Sequence, residues 1–356
     1  MEKIDIKSLN YQELLVKIKE LGEKSFRGKQ IYEWLHQKAV MNFDEMTNLS
    51  KALREKLKEN FYIAQTQIVE KLESKDGCTT KFLFGLQDGS VIESVLMKYK
   101  HGNSVCISSQ VGCRMGCNFC ASTLGGLERN LSVSEMLGQI YAIQNMKGER
   151  VSNVVVMGTG EPLDNYDNLV KFIRMLTDEY GYNISQRNIT VSTCGLVEKI
   201  YKLAQEKLQI TLAISLHAPN DEVRKTLMPV ANKYSIAEIM DACKEYYEIT
   251  GRRISFEYSL VKDVNDSKEY AEELGNLLQR KNCHVNLIPV NPIEERNYRD
   301  SDTSFIKNFK LTLERFGINV TIRREMGRDI DAACGQLRKR YMDKMEEGEH
   351  EDIFHN

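Results

Sequence analysis

From residue 101 onward, short apolar segments alternate with longer segments of helical periodicity. The strand-like segments cover residues 105–109, 154–157, 189–191, 210–215, 254–260 and 285–288, with 320–322 trailing. Ser132 with Glu135, and Ser235 with Glu238, form capping boxes that begin two of the helices between them. Alternating βα units predict a parallel sheet covered by helices. About six units are fewer than the eight of a closed barrel, so the sequence predicts a partial (β/α)6 barrel.

The first hundred residues have a different pattern. Residues 1–60 read as short amphipathic helices, because Leu14, Leu15, Ile18 and Leu21 recur at helical spacing. Residues 61–100 show strand alternation around a turn at Asp88-Gly89. We therefore expect an N-terminal helical domain (1–60), a connecting β-segment (61–100), an α/β body (101–345) and a polar tail (346–356).

Composition limits the class of protein. The chain has 356 residues, nine of them cysteine, and it begins with a polar segment without an apolar signal sequence. No apolar run is long enough for a membrane span, so we expect a cytoplasmic protein with no membrane partner. The net charge is −2, from 49 basic and 51 acidic residues, so any RNA contact must come from local patches.

Three of the cysteines, Cys113, Cys117 and Cys120, stand close together at the spacing C-x3-C-x2-C directly after a predicted strand. A structural zinc site usually has two pairs of ligands, and no second Cys or His pair follows here. A purely buried cluster is disfavoured because Arg114 and Asn118 lie between the thiols. An iron–sulfur cluster held by three thiolates fits better, with one iron open to a small molecule.

Polar or glycine-rich segments follow four of the predicted strands, namely 157–162 (MGTGEP), 191–195 (VSTCG), 213–219 (AISLHAP) and 289–292 (PVNP). Glu161 offers an acceptor for an amino group, although a segment of this kind is also an ordinary βα turn. His217 alone would be a structural histidine as readily as a ligand. Because these strand ends share one rim, we expect a ligand site there.

Two further cysteines have open interpretations. Cys334 stands among small residues and near several arginines, so it is either a small buried thiol or an activated nucleophile. Cys106, seven residues before Cys113, is either a strand-core thiol or a redox partner of Cys334.

These motifs together resemble a known family. The spacing C-x3-C-x2-C with Phe119 before its last cysteine resembles the signature of radical S-adenosylmethionine enzymes. Eight segments, in their order along the chain, resemble the RlmN family of RNA methyltransferases. They are 106–126, 157–168, 191–195, 215–220, 227–230, 284–292, 320–327 and 329–338. That resemblance covers nearly the whole chain.

The resemblance implies both cofactors and their ligands. A 4Fe-4S cluster would be held by Cys113, Cys117 and Cys120. S-adenosylmethionine, two molecules per turnover, would complete the open iron and contact Gly160, Glu161, Ser192, Ser215, Leu216, His217 and Asn291. A flavodoxin or ferredoxin would supply the electron.

The resemblance also implies a reaction at C2 of adenine in 23S rRNA and tRNA. Cys334 would accept a methyl group, lose a hydrogen atom to a 5′-deoxyadenosyl radical and bond to the base as a thioether. Glu93 would accept the C2 proton, although by sequence alone it is an ordinary exposed strand carboxylate. Attack by Cys106, with formation of a Cys106–Cys334 disulfide, would release the product.

Substrate recognition implies an extruded or loop adenine, because C2 is inaccessible in a stack. Candidate phosphate contacts are Lys24, Arg27, Lys29, Arg323, Arg324, Arg328, Arg338, Lys339 and Arg340, each of which could instead be part of a solvated face. Two other functions stay open: the related adenine-C8 methyltransferases, and a non-catalytic iron–sulfur RNA-binding protein.

Overall fold

The computed structural model describes residues 3–290, 298–323, 328–330, 337, 338 and 341. The N-terminal part consists of β1 (Ile4–Asp5), α1 (Tyr11–Glu20), α2 (Ser25–His36), α3 (Lys51–Asn60) and β2 (Phe61–Tyr62). An Asn10–Glu13 capping box begins α1, and β1 pairs in parallel with β2. The helices predicted within residues 1–60 are therefore present.

Residues 67–130 are mostly strands. They form β3 (Gln67–Glu73), β4 (Thr79–Gly85), β5 (Val91–Tyr99), β6 (Gly102–Ile107), β7 (Gln110–Gly112) and β8 (Leu127–Asn130). The hairpin between β4 and β5 turns at Asp88-Gly89, where Gly89 takes a φ of 83°. A left-handed backbone at that position explains the glycine.

The rest of the described chain alternates helices and strands. In chain order these are α4 (Val133–Lys147), β9 (Val151–Val156), α5 (Tyr166–Leu176), β10 (Ile189–Thr193), α6 (Val197–Gln205), β11 (Thr211–Ser215), α7 (Asp221–Leu227), α8 (Ile236–Thr250), β12 (Ile254–Leu260), α9 (Lys268–Leu278), β13 (Cys283–Pro289), α10 (Thr303–Arg315) and β14 (Asn319–Ile322). Both predicted capping boxes are formed, at the starts of α4 and α8, and Gly251 ends α8 in the left-handed conformation.

Ten of the strands in the described residues form one sheet, in the order β14-β13-β12-β11-β10-β9-β6-β5-β4-β3. The seven strands from β6 to β14 in this sheet are parallel, as predicted for a partial α/β barrel. The β-segment between residues 61 and 100 does more than connect two parts. Its strands β3, β4 and β5 continue the same sheet in antiparallel pairing from β6.

The sheet has two distinct faces because side chains alternate along each strand. Residues such as Val105 and Ile107 of β6 and Phe256 of β12 belong to the main hydrophobic core under the helices. The intervening residues, among them Cys106 and Glu257, point to the opposite face, which we call the inner face. Every polar strand residue discussed below lies on this inner face or at the carboxyl end of a parallel strand.

The N-terminal helices pack directly on the body rather than around a core of their own. Leu14 of α1 and Ile31 of α2 belong to the same hydrophobic cluster as Tyr141 of α4. His36 Nδ1 lies 3.0 Å from the Tyr141 hydroxyl, and both side chains are buried. None of the described helices is long and apolar enough to cross a membrane.

Candidate active site

The three clustered cysteines lie on one loop, residues 113–126, which connects the short paired strands β7 and β8. The base of the loop is closed by the backbone N–H of Cys113, which donates to the carbonyl of Gly126 over 2.7 Å. Gly112 precedes it with a φ of 74°, and a Cβ there would lie 2.0 Å from the Gly126 carbonyl oxygen. Only glycine permits this closure, so the geometry of the loop requires Gly112.

The cysteine loop is also held by hydrogen bonds, both within the loop and to residues of α7. The Thr123 hydroxyl donates to the carbonyls of Cys117 and Cys120, over 3.2 and 2.9 Å. Asn118 donates its backbone N–H to Leu227 and its side-chain amide to Thr226, over 2.8 and 2.7 Å. The loop is therefore fixed to the end of α7, on the sheet edge where the parallel strands end.

The segment after β9 (MGTGEP) packs against the end of β6. A Cβ on Gly158 would lie 2.6 Å from the Ile107 carbonyl oxygen, which explains the first glycine. The Thr159 carbonyl accepts the backbone N–H of Ser109 over 2.9 Å, and Gln110 Oε1 accepts that of Glu161 over 2.8 Å. The predicted ligand segment and the strand that leads into the cysteine loop therefore form one unit.

Glu161 uses its carboxylate to bind the protein backbone. The two oxygens accept the backbone N–H groups of Leu163 and Cys194, over 3.0 and 2.7 Å, and the side chain is buried. Burial raises the pKa of Glu161, and the hydrogen bond from Cys194 opposes that shift. The sequence predicted an acceptor for a ligand amine, and the structure shows a brace between the ends of β9 and β10.

The ends of β10 and β11 bring the next predicted residues together. The hydroxyl oxygens of Ser192 and Ser215 lie 3.4 Å apart on neighbouring strands. Leu216 is fully buried, and His217 follows it with a φ of 56°. Gly160, with a φ of 107°, packs on Gln110. Asn291 lies outside the described residues.

His217 is a buried, neutral histidine. Its Nδ1 accepts the backbone N–H of Ser259 over 2.9 Å, and its ring meets Phe119 edge-on with centroids 4.8 Å apart. Burial lowers the pKa of His217 to about 3, with the nearby Arg224 adding to the shift. The imidazole thus joins the end of β11 to the residue that precedes Cys120.

Arg224, which the sequence did not single out, is fully buried below these strand ends. Its guanidinium donates to the carbonyls of Cys194 and Leu216 over 2.6 and 3.2 Å, with longer contacts to Ser215 and Tyr234. Burial lowers the pKa of Arg224. One side chain therefore holds three neighbouring backbone segments, and only its place in the folded chain shows this.

Cys106 and Glu93 lie on the inner face of adjacent strands. Cys106 of β6 is paired with Val95 of β5, so Glu93, two residues before Val95, points to the same face. Both residues are buried, with 5% and 3% of their surface exposed, and the exposed position expected for Glu93 was wrong. Its partner is Lys81 of β4, whose Nζ lies 3.5 Å from Glu93 Oε2.

The C-terminal segment docks on the same strands. The backbone N–H of Arg338 donates to Glu93 Oε1, and Leu337 and Tyr341 pack on Leu83 and Val91. Cys334 itself lies outside the described residues. The disulfide expected between Cys334 and Cys106 is not supported: no disulfide joins two of the described cysteines, and Cys334 is not among them.

Comparison with known proteins identifies the family. Residues 4–63 match the ribosomal RNA large subunit methyltransferase N-terminal domain, and residues 107–274 match the radical SAM superfamily. A probable dual-specificity RNA methyltransferase RlmN from Lachnospira eligens is 66% identical over 345 residues, which are 97% of this chain and 99% of that protein. The chain belongs to the RlmN family of RNA methyltransferases.

Another RlmN protein, from Lachnoclostridium phytofermentans, is 65% identical over 96% of each chain. The crystal structure of a radical SAM methyltransferase from Sphaerobacter thermophilus matches with a TM-score of 0.90 and 42% identity, covering 94% of this chain and 98% of that one. The predicted α/β radical SAM fold, with its N-terminal helical region, is thereby confirmed, and so is the prediction of an RNA-methylating enzyme.

Membership of the radical SAM superfamily implies a 4Fe-4S cluster and S-adenosylmethionine. The RlmN cysteine loop fits a cluster chemically. Burial raises the pKa of Cys113 to about 12 and that of Cys117 further, and the charges of the neighbouring cysteines add to both shifts. Thiols in such surroundings become thiolates only when metal binds them.

In the part of the chain that the structure describes, no group of three or more Cys, His, Asp or Glu side chains is arranged to hold a single metal ion.

The RlmN phosphate contacts predicted from sequence are only partly described. The side chain of Arg338 is 12% exposed, and its guanidinium binds Glu128 and the Val91 carbonyl, so its charge is used within the protein. Lys29 is about half exposed and lies over the Tyr180 ring. The side chains of Arg324, Arg328, Lys339 and Arg340 lie outside the described residues.

Proposed function

We propose that this enzyme methylates C2 of a specific adenine in 23S rRNA and in tRNA, with Cys334 as the carrier of the transferred carbon. The observation that carries the proposal is the position of Glu93. It lies on the same inner face as Cys106 and accepts a hydrogen bond from Arg338, four residues after Cys334. Glu93, the candidate base, thus shares a face with Cys106, the candidate resolving thiol. It is also hydrogen-bonded to the C-terminal segment, whose sequence includes Cys334.

The cofactors would be held at the rim where the parallel strands end. Cys113, Cys117 and Cys120 would ligate the 4Fe-4S cluster. The S-adenosylmethionine contacts would be Gly160, Glu161, Ser192, Ser215, Leu216, His217 and Asn291. When bound, and with an electron from a flavodoxin or ferredoxin, the two cofactors supply a methyl group and a radical able to abstract hydrogen.

The residues at the rim would have different roles in binding the cofactors. Ser192 and Ser215 present two adjacent hydroxyls that suit the polar groups of a nucleoside. Glu161 holds the loops in place through their backbones, so it would position the rim in addition to contacting the cosubstrate. His217, kept neutral by burial, adds no charge beside the cluster.

Described residues on both sides of Cys334 in the sequence are held by hydrogen bonds. Asp329 accepts the backbone N–H of Lys75 over 2.9 Å, and the backbone N–H of Arg338 donates to Glu93. The carrier role of Cys334, which lies outside the described residues, rests on the sequence motif.

Glu93 and Cys106 would complete the reaction. C2 of adenine is flanked by two ring nitrogens and is a poor nucleophile, so a carbon radical tethered through sulfur suits it better than polar attack. Holding that carbon on Cys334 also keeps the reacting atoms close. Glu93 would accept the C2 proton as the adduct returns one electron to the iron–sulfur centre. The Cys106 thiolate would then attack the Cys334 sulfur, so that an S–S bond forms, the C–S bond to the base breaks and the released carbon takes up a proton.

The RNA would present its adenine outside a stack, because C2 is otherwise covered by neighbouring bases. The N-terminal helices, with Lys24, Arg27 and Lys29, would contribute phosphate contacts. Arg323, at the end of β14, would contribute from the body.

The carrier role of Cys334 can be tested in the protein itself. The purified wild-type enzyme should show a mass increase of one methyl group on the peptide that contains Cys334. Cys334→Ala should lose that modification and all RNA methylation while retaining its iron. Methylated RNA from the Cys334→Ala variant would overturn the proposal.

A further inference from the structure

Lys81 and Glu93 form an ion pair that is almost completely removed from solvent. Lys81 Nζ lies 3.5 Å from Glu93 Oε2, and the side chains are 0% and 4% exposed. Lys81 is paired with Val95 across β4 and β5, so it points to the same inner face as Glu93 and Cys106. Lysine is almost never fully buried unless it is paired.

The other charged or titratable groups around Glu93 are few among the described residues. They are Cys106 on β6, and Arg338 and Tyr341 in the C-terminal segment. The Arg338 guanidinium binds Glu128 and the Val91 carbonyl, so only the backbone N–H of that residue reaches Glu93. Lys81 is therefore a buried cation beside the Glu93 carboxylate.

We propose that Lys81 is a positioning residue that holds the Glu93 carboxylate in place to accept the C2 proton. This inference rests on the proposed role of Glu93. In the step concerned, the C2–H bond breaks, its electrons remain with the adenine ring, and the proton bonds to a Glu93 oxygen. A carboxylate that already holds a proton cannot do this.

The energetic argument follows from burial. A carboxylate removed from water strongly favours its protonated form unless a cation or hydrogen-bond donors stabilise the charge. At Glu93 one oxygen faces Lys81 and the other accepts the backbone N–H of Arg338. The N–H comes from the C-terminal segment, whereas Lys81 belongs to β4 of the sheet. Lys81 would therefore hold the charge of Glu93 on the face where the base is bound.

The test compares Lys81→Met with Lys81→Arg and Glu93→Gln in the full-length, cluster-loaded enzyme. In Lys81→Met we expect methylation at pH 7 to fall by about 100-fold, the scale of a lost acid–base contribution. We also expect the covalent enzyme–RNA adduct to accumulate and turnover to recover as the pH rises. Iron content and S-methylation of Cys334 should match the wild type, and Lys81→Arg should restore much of the rate.

A double variant, Lys81→Met with Glu93→Gln, separates positioning from a structural role. If Lys81 acts only through Glu93, the double variant should methylate no more slowly than Glu93→Gln alone. Removing both charges also avoids an unpaired buried carboxylate, so this variant should fold even if Lys81→Met does not.

Two results would overturn the inference. The first is a Lys81→Met enzyme with a wild-type pH profile and no adduct. The second is a double variant much slower than Glu93→Gln. Failure of the underlying proposal looks different: Glu93→Gln itself would then turn over normally.

Discussion

The carboxylate of Glu161 accepts the backbone N–H of Cys194 over 2.7 Å and so joins the loop after β9 to the loop after β10. The second oxygen accepts the N–H of Leu163 within its own loop. Both amides belong to loops at the strand-end rim, where the cosubstrate is expected. The order of that rim therefore depends on a carboxyl oxygen that accepts a hydrogen bond from each of these two amides.

Glu161→Gln should weaken the binding of S-adenosylmethionine. A glutamine keeps one acceptor but directs an NH2 group at the other backbone amide, which leaves a buried donor unsatisfied. That costs about 1.5–3 kcal/mol, so we expect an affinity at least about tenfold lower by equilibrium dialysis, with the iron content unchanged. Asp167→Asn, at a side chain 93% exposed, is the matched control. Wild-type affinity in Glu161→Gln would refute the brace role.

Cys117→Ala should remove the cluster without unfolding the protein. Cys117 packs among apolar side chains that include Leu227 and Met228, so an alanine there leaves only a small cavity. Anaerobic reconstitution with iron and sulfide should give a colourless protein with a far-UV circular dichroism spectrum like that of the wild type. Cys243→Ala, which removes a buried thiol from α8, should stay brown. A Cys117→Ala protein with full iron content would show that this thiol is not a ligand.

Cys106→Ala should accumulate a covalent enzyme–RNA adduct. Cys106 packs against Val95, Met97 and Met157, so alanine should be tolerated and the cluster loop left intact. Without the resolving thiol, the thioether between Cys334 and the base cannot be released. A shifted band on a denaturing gel, lost after ribonuclease treatment, would report the adduct. Normal product release by Cys106→Ala would contradict the assignment.

His36 should make the protein sensitive to acid. Burial lowers the pKa of His36 from 6.5 to about 3, with a smaller contribution from Lys7. Below pH 6.5 the unfolded chain therefore binds a proton that the folded chain excludes. With respect to His36, the free energy of unfolding is therefore highest above pH 6.5. It falls by about 1.4 kcal/mol per pH unit as the pH is lowered towards 3.

Comparing the pH dependence of stability in variants separates the contribution of His36 from that of the carboxylates, which titrate in the same pH range. His36→Asn should show a shallower loss of unfolding free energy between pH 6.5 and 4 than the wild type in urea titrations. His101→Asn, at an exposed position, should keep the wild-type slope. Identical slopes for the wild type and His36→Asn would contradict the assignment.

The parallel strands and their helices could be predicted because their signals are local. Residues 254–260 read as a strand from their own composition, and the capping box at Ser235 begins α8 as expected. The continuation of the sheet through β3, β4 and β5 could not be predicted, because strand pairing joins residues distant in sequence and the alternation does not specify the partner.

The candidate site, like the fold, could be predicted only where its signals are local in sequence. The cysteine spacing points to the loop proposed to hold the cluster, because all three proposed ligands lie within eight residues. Glu93 looks exposed in sequence, since its burial depends on Lys81 across a strand pair and on Arg338, far along the chain. Arg224 has no motif at all, and its importance comes from carbonyls on three separate segments.

Nucleoside analysis of treated RNA tests the central claim most directly. Enzyme reconstituted with its cluster would be incubated anaerobically with S-adenosylmethionine, a reductant and unmodified 23S rRNA or tRNA, and the digested RNA analysed by mass spectrometry against both methyladenosine standards. We predict 2-methyladenosine in both RNAs, and none with Cys334→Ala. Detection of 8-methyladenosine, or of no methylated adenosine with a fully loaded cluster, would contradict the account.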